Sequence, residues 1–331
     1  MSNIFKSASL DQKKRITIIA IYATIAVIMC LLAALLITQI VNKDNSPALS
    51  DDETGEPAES YTSETVSSAQ LHSGSLILVN KNNEYIFADN PDVVSFPTSG
   101  KLYGIKDGNL KANQTALTAF NNMMKDAYSN ISDANIVVMT AYRSADEQTK
   151  LNNGTPAGYS DFHTGMSFEL KDGNTWAPIN ADSLQDKYQW LYDNAHKYGF
   201  IVRYPDDIPT SAAGKNAGKS FSEITGVSDY AQVFRYVGVA HATYIKANNL
   251  CLEEYLELLR TTYSYQNPLS VRGADGRSYL IYYAEAEAND ESESEIKVSS
   301  KYGSEISGDN MNGYIVTVNK STKPAVKNSD N

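Results

Sequence analysis

The sequence predicts a mixed domain of helices and short strands with a β-rich C-terminal segment, held behind an N-terminal membrane helix. Three observations predict it. An apolar run fills residues 16–41, short apolar runs alternate with helix-period windows between residues 75 and 265, and period-two patterns take over after Pro268.

Ile16–Val41 contains Gln39 as its only strongly polar residue. At 1.5 Å rise per residue, its 26 residues reach about 39 Å as a helix, longer than a hydrocarbon core of about 30 Å. A secretory signal would be shorter and would end in a small-residue cleavage site. Lys6, Lys13, Lys14 and Arg15 precede the run, whereas mostly acids follow Lys43. The positive-inside rule therefore predicts residues 1–15 in the cytoplasm, a single span over 16–41, and the remainder outside the cell. Cys30 lies in that span and Cys251 beyond it, so the two cannot form an internal disulfide.

Residues 42–74 are rich in Ser, Thr, Glu, Asp and Pro, with almost no large apolar residue. Such a segment buries too little surface to offset its ordering entropy, which predicts a disordered acidic stalk. Globular character begins with SLILVN, read as a strand over 75–80. Leu117, Phe120, Met124 and Tyr128 recur at helical spacing, and IVVMT (136–140) reads as a strand. MSFEL (166–170) is a further strand. Ser183 caps a predicted helix carrying Leu184, Tyr188, Leu191, Ala195 and Tyr198 on one face, with Gly199 as its stop. FIVRY and VFRYV are strands on either side of a Gly, Ser and Lys rich loop, and helices follow over 239–248 and 252–263. Ala-Asp-Gly between SVRG and SYLIYYAEA predicts a hairpin. EIKVSS and GYIVTVN complete a β-rich appendage over 266–320, with a polar disordered tail at 321–331.

Composition excludes more than it assigns. The chain carries 39 Asp and Glu against 28 Lys and Arg, a net charge of −11, which argues against nucleic acid as a partner. Its four histidines and two cysteines offer few ligands for a soft-metal site. GKNAGKS (214–220) imitates a phosphate loop, but Ala213 stands where the first glycine is required.

Three segments carry a resemblance. They are TAYRSADEQ (140–148), AGYSDFHTGMSFEL (157–170), and NAHKYGFIVRYP (194–205) continuing to ITGVSDYAQVFRYVGVAHA (224–242). In order and spacing they resemble the VanY-type D-alanyl-D-alanine carboxypeptidases, zinc metallopeptidases of the LAS fold, over residues 75–265. That resemblance implies an α+β fold, with helices packed on a mainly antiparallel sheet. It also implies a Gram-positive envelope protein related to enzymes that cleave D-Ala-D-Ala termini of peptidoglycan stem peptides. In active members two histidines and an aspartate hold zinc, and a glutamate serves as general base.

Carried over residue by residue, the first zinc histidine falls on Phe162, the aspartate on Glu169, the second histidine on Val233 and the glutamate on Tyr230. Phenylalanine and valine have no lone pair for a metal, and a phenol is a poor base at neutral pH. The resemblance thus implies zinc in active relatives and no cofactor here. His163 stands one residue beyond the lost ligand, and in extended backbone it would face the other way. His196 and His241 match family positions that bind no metal.

The binding residues are better retained: Arg143, Gln148, Tyr159, Ser160 and Asp161 form the expected ligand site. In relatives the arginine faces the substrate's carbonyl or carboxylate, a task that suits the planar guanidinium fork. A salt bridge from Arg143 to Asp146 or Asp161 is the competing structural role. Three functions remain in play: a membrane-anchored pseudoenzyme that binds stem peptide or an envelope partner, an active zinc carboxypeptidase with relocated ligands, and a structural partner-binding subunit.

Overall fold

The backbone of the site-bearing region is a five-stranded sheet whose strands follow the short apolar runs of the sequence. The computed structural model describes residues 60–88, 91–97, 99–206, 219–287 and 293–324. The apolar run at 16–41, the linker up to residue 59, and most of the GKNAGKS stretch lie outside these residues. Among the described residues, no helix is long and apolar enough to cross a membrane.

Strands β1 to β4 are Tyr61–Val66, Val93–Ser95, Gly104–Ile105 and Lys111–Asn113. Next come α1 (Gln114–Asn130), β5 (Ile136–Thr140), α2 (Ala145–Leu151) and β6 (Ser167–Asp172). They are followed by α3 (Gln185–Asn194), β7 (Phe200–Val202), α4 (Phe221–Thr225) and β8 (Val233–Tyr236). Helices α5 (Val239–Asn248) and α6 (Leu252–Thr262) lead to β9 (Leu269–Arg272), β10 (Ser278–Glu285), β11 (Ser294–Ser299), β12 (Gly303–Gly308) and β13 (Gly313–Asn319).

The main sheet runs β3-β5-β6-β8-β7, antiparallel except for the β3–β5 pair. Helix α1 covers it because Ala116, Leu117, Phe120, Met123, Met124 and Ala127 fall on one face. Its N-cap is Asn113, whose Oδ1 accepts from Thr115 N at 3.0 Å and Ala116 N at 3.1 Å. Phe120 stacks on Phe168 of β6 at 4.5 Å, and Phe200 of β7 meets Phe168 edge-on at 5.7 Å.

The second sheet, β12-β13-β10-β9, is wholly antiparallel and contains the hairpin at Ala274-Asp275-Gly276. It is continuous with the first part of the chain. Leu269, Val271, Tyr279, Ile281, Tyr283 and Ile315 share one buried cluster with Leu76, Leu78, Val237, Tyr255, Leu256 and Leu259. The β-rich end is therefore built into the domain by a common core.

Four expectations need correction. Residues 60–74, read as part of a disordered stalk, are folded: β1 pairs antiparallel with β11, and a 3-10 turn follows at Ser68–His72. Ladder hydrogen bonds, with Val66 buried as an apolar anchor, order this polar stretch. SLILVN is buried but joins none of these strands, and side chains take much of its backbone bonding, beside Leu78 N donating to Asp309 O at 3.1 Å. Leu76 N donates to Ser307 Oγ at 2.9 Å, and Asn310 Nδ2 donates to Leu78 O at 2.9 Å. Ser183 does not cap α3; Leu184 holds the N-cap position with no side-chain bond. Part of the expected tail is tied down, with Gly303 N donating to Thr322 O at 2.9 Å. Strand β12 was not anticipated, because GSEISG has neither the apolar alternation nor the β-branched content of a typical strand.

Gly199 ends the 3-10 turn Ala195–Tyr198 at φ 85°, and a Cβ there would lie 2.7 Å from the Tyr236 ring. Only glycine fits both the conformation and the space.

His241 of α5 bridges the two parts of the core. Its Nδ1 is 2.7 Å from the Tyr255 hydroxyl and its Nε2 is 2.9 Å from Thr317 Oγ1 of β13. Burial pushes its pKa down to about 3, against about 6.5 in an unfolded chain. The unfolded chain therefore binds the proton more readily, and this contribution is complete only above about pH 6.5, fading as pH falls. Between pH 7 and pH 5 we expect the protein to lose about 2 kcal/mol of stability through this residue. Urea denaturation at both pH values checks it; in His241→Gln the pH dependence over that interval should shrink.

Candidate functional site

The site forms in the middle of β6, at Glu169, where the C-terminal end of β5 and the first residue of β8 meet. A register shift in β5 after Val138 sets Thr140 opposite Glu169, and Glu169 is in turn opposite Val233. Above them lies the 3-10 turn Asp161–Thr164, closed by Gly165 at φ 69°. The turn is fastened to neighbouring backbone: Arg143 N donates to Phe162 O at 3.2 Å, and Asn113 N donates to Gly165 O at 2.8 Å.

Phe162 and Val233 are buried, and the Phe162 ring meets Tyr230 edge-on at 6.5 Å. Tyr230 stacks against Tyr204 at 5.8 Å and stands beside the charge of Glu169, whose Oε2 accepts from Thr140 Oγ1 at 3.0 Å. Burial, with the Glu169 charge beside it, pushes the Tyr230 phenol well above its ordinary pKa, so it stays protonated at neutral pH.

Arg143 stands over the Phe162 ring, its guanidinium carbon 4.8 Å from the centroid. Its Nη1 donates to Gln148 Oε1 at 2.7 Å, and its Nη2 lies 3.4 Å from Thr140 Oγ1. Helix α2 places Gln148. Ser144 caps it in a capping box with Glu147, and Gln148 turns inward. There its Nε2 donates to Asn153 Oδ1 at 2.9 Å and to Thr155 O at 2.7 Å. Neither Asp146 nor Asp161 pairs with Arg143. Burial lowers its pKa somewhat, against the opposing pull of Tyr230 and Glu169, and a guanidinium remains charged throughout.

A cavity of about 460 Å³ opens over these groups, with Arg143, Phe162, Tyr204, Tyr230, Tyr159 and Ser160 among its walls. The Tyr159 hydroxyl donates to Glu84 Oε2 at 3.0 Å. Of the expected binding residues, Arg143, Tyr159 and Ser160 line the cavity, while Gln148 supports Arg143 from behind. Tyr204, Asn80 and Lys81 also line it, although the sequence marked none of them as site residues. Their signal was position within quoted motifs, FIVRYP and SLILVNKNN, without any distinguishing chemistry.

Asp161 is a correction. It faces away from the cavity, fully buried between two arginines. Arg235 Nη1 donates to its Oδ1 at 3.1 Å, Arg203 Nε lies 3.3 Å from the same oxygen, and Ser167 Oγ donates to Oδ2. Burial alone would raise its pKa; Arg235 and Arg203 more than offset this and hold it below the ordinary carboxylate range. Asp161 is therefore structural.

His163 is equally committed. Its Nδ1 is 2.6 Å from Arg143 O, and its Nε2 accepts from Gly158 N at 3.0 Å. With both nitrogens bonded to backbone, it offers no lone pair to the cavity. Its backbone is a 3-10 turn, not the extended chain assumed from sequence, yet the ring still points away from Phe162's side of the site. The positions that the resemblance assigns to zinc hold one carboxylate, Glu169, beside two hydrocarbon side chains. Among the described residues, no group of three or more His, Cys, Asp or Glu side chains could hold a metal ion. The residues present do not fit a zinc centre of three protein ligands.

The known proteins that this chain resembles agree with its motifs. A family profile described as VanY, D-alanyl-D-alanine carboxypeptidase, matches residues 109–215. A D-alanyl-D-alanine carboxypeptidase of Enterococcus faecium is 29% identical over 289 residues, covering 84% of this chain and 85% of that protein. The bifunctional D-Ala-D-Ala dipeptidase and D-Ala-D-Ala carboxypeptidase VanXYC of Enterococcus gallinarum is 42% identical over 150 residues, covering 39% of this chain and 70% of that one. The vancomycin-resistance D,D-dipeptidase VanXYg, solved with a D-Ala-D-Ala phosphinate analogue, shares the fold. It has a TM-score of 0.61 and 23% identity, over 78% of this chain and 99% of that chain. The chain belongs to the VanY-type D-alanyl-D-alanine carboxypeptidase family.

Removing Asp161 should unfold the site from below. Asp161→Ala leaves two buried guanidiniums facing each other, and we expect a loss of about 3–5 kcal/mol, read by chemical denaturation.

Proposed function

We propose that this chain is a catalytically degenerate member of its family that binds peptidoglycan stem peptides by their free C-terminus without cleaving them. In this reading the run Ile16–Val41 anchors it in the cell membrane with the folded domain outside the cell. The observation that carries the reading is the Phe162–Arg143 pair: an apolar side chain at the metal-ligand position, beneath a guanidinium that lines an open cavity.

Hydrolysis needs an activated water and a group to take its proton. Among the described residues, the groups beside the cavity offer neither. Tyr230 keeps its proton, and Glu169 accepts from Thr140. Binding needs less. Arg143 is held at Nη1 by the Gln148 carbonyl, which leaves guanidinium N–H groups for a carboxylate. Gln148 is fixed in turn by Asn153 and Thr155, so the arginine is preorganised. The rings of Phe162, Tyr204 and Tyr230 supply apolar surface for a small side chain such as that of alanine.

The test is calorimetry with a peptide ending in D-Ala-D-Ala, together with an assay for released D-alanine on the same sample. Binding without release is expected. Arg143→Ala should weaken binding about tenfold or more, the worth of a hydrogen bond to a charged group. D-alanine release that disappears in Glu169→Ala would overturn the proposal. Reverting Phe162→His, Tyr230→Glu and Val233→His together should confer zinc binding, measured as metal content, if these are the former ligand positions.

A further inference from the structure

We propose that the cleft reads two anionic groups on its peptide: the C-terminal carboxylate at Arg143 and a second carboxylate upstream, at Lys81. The ligand class is then an acidic peptide with a free C-terminus, and Lys81 sets that specificity. This rests on the peptide-terminus reading of the cleft.

The charge of the cavity wall is the first observation. The chain as a whole carries −11, yet among the described residues no Asp or Glu lines this cavity, while Arg143 and Lys81 both do. Among the described residues, the Arg143 guanidinium bonds the neutral side chains of Gln148 and Thr140 and no carboxylate. No carboxylate among the described residues lies within ion-pair distance of Lys81. Three acids near the rim are engaged: Glu84 by Tyr159, Glu169 by Thr140, and Glu253 by Asn80 and Arg203. Lys81 also borders a recess lined by Glu223, Glu253 and Glu257, without an ion pair to any of them. Two cations on one cavity wall, without ion-pair partners among the described residues, favour an anionic occupant.

Lys81 is also placed. It sits on a tight turn in which Asn80 Oδ1 accepts from Asn82 N and from Asn83 Nδ2, both at 3.0 Å. Asn80 Nδ2 donates to Glu253 Oε1 at 3.2 Å, and Glu253 receives both Arg203 Nη1 and Nη2, at 3.0 and 2.9 Å. The turn is thus tied to the buried ion-pair network. The Lys81 side chain lies across Gly226, where a Cβ would come within 3.2 Å of Nζ and 3.3 Å of Cδ and Cε. Gly226, at φ 76° after α4, leaves room for the side chain along the cleft. The cavity, at about 460 Å³, is of a size that encloses more than a terminal residue.

The test uses the full chain in detergent and acetylated peptides of three to five residues ending in D-Ala-D-Ala. Glutamate or glutamine is placed at each upstream position in turn, with the C-terminus as acid or amide. At one upstream position glutamate should bind about two- to fivefold more tightly than glutamine in low salt, the range for a solvent-exposed charge pair. Lys81→Gln should abolish that preference while retaining the preference for acid over amide termini, and Lys81→Arg should restore it. Equal binding of glutamate and glutamine at every position, or a preference that survives in Lys81→Gln, overturns the proposal and leaves the terminus reading standing. Equal binding of acid and amide termini, or no binding, overturns both.

Discussion

Two arginines with no exposed surface, Arg203 and Arg235, meet on the single carboxylate of Asp161, and the architecture of the site follows from that contact. A second acid, Glu253, completes the balance by taking both terminal nitrogens of Arg203. Two positive and two negative charges leave the interior neutral, which a buried cluster requires. The remaining donors hold backbone. Arg235 donates to Ser75 O at 3.1 Å and Ile77 O at 3.2 Å, and to Thr164 Oγ1 at 2.7 Å, while Arg203 Nη2 lies 3.4 Å from Val79 O. One ionic cluster thereby joins β7, β8, the turn that carries Phe162, helix α6, and a buried segment that belongs to no sheet.

This explains which parts of the fold could be read from sequence. Ile136–Thr140, α1 and α6 follow from their apolar pattern, because a single sheet or core face decides them locally. Ser75–Asn80 has the same apolar signature as a strand, but most of its backbone partners are side chains more than a hundred residues away, Ser307, Asn310, Arg203 and Arg235 among them. Tyr61–Val66 fails in the opposite sense. Its composition is that of a solvated linker, and what orders it is pairing with β11, which no local pattern announces. Ser183 has the chemistry of a cap, but the chain enters α3 through the turns at Pro178–Leu184 and caps nothing with it.

The site divides in the same way. Arg143, Tyr159 and Ser160 were visible because their motif is intact. Asp161 belonged to that motif equally well, and only three-dimensional placement separates it from its neighbours. Four consecutive residues make the point. Ser160 faces the cleft, Asp161 enters the ionic cluster, Phe162 fills the floor, and His163 binds backbone on the far side. Asp161, Phe162 and His163 lie in a 3-10 turn, which directs successive side chains about 120° apart, and Ser160 precedes it in extended backbone, so the four reach separate environments. The apolar identity of Phe162 also suits the face it presents to Arg143, where a desolvated guanidinium gains from an aromatic surface.

The tie between Glu253 and Asn80 couples the rim of the cleft to the deepest part of the molecule. The rim turn and the floor turn hang from the same ionic cluster, so the cleft has no existence apart from the native state. An occupant can therefore bind only the folded chain, and its binding free energy adds in full to resistance against unfolding. The melting temperature of this protein becomes a gauge of what sits in its cleft. A ligand without any colour, label or turnover would still register as heat resistance.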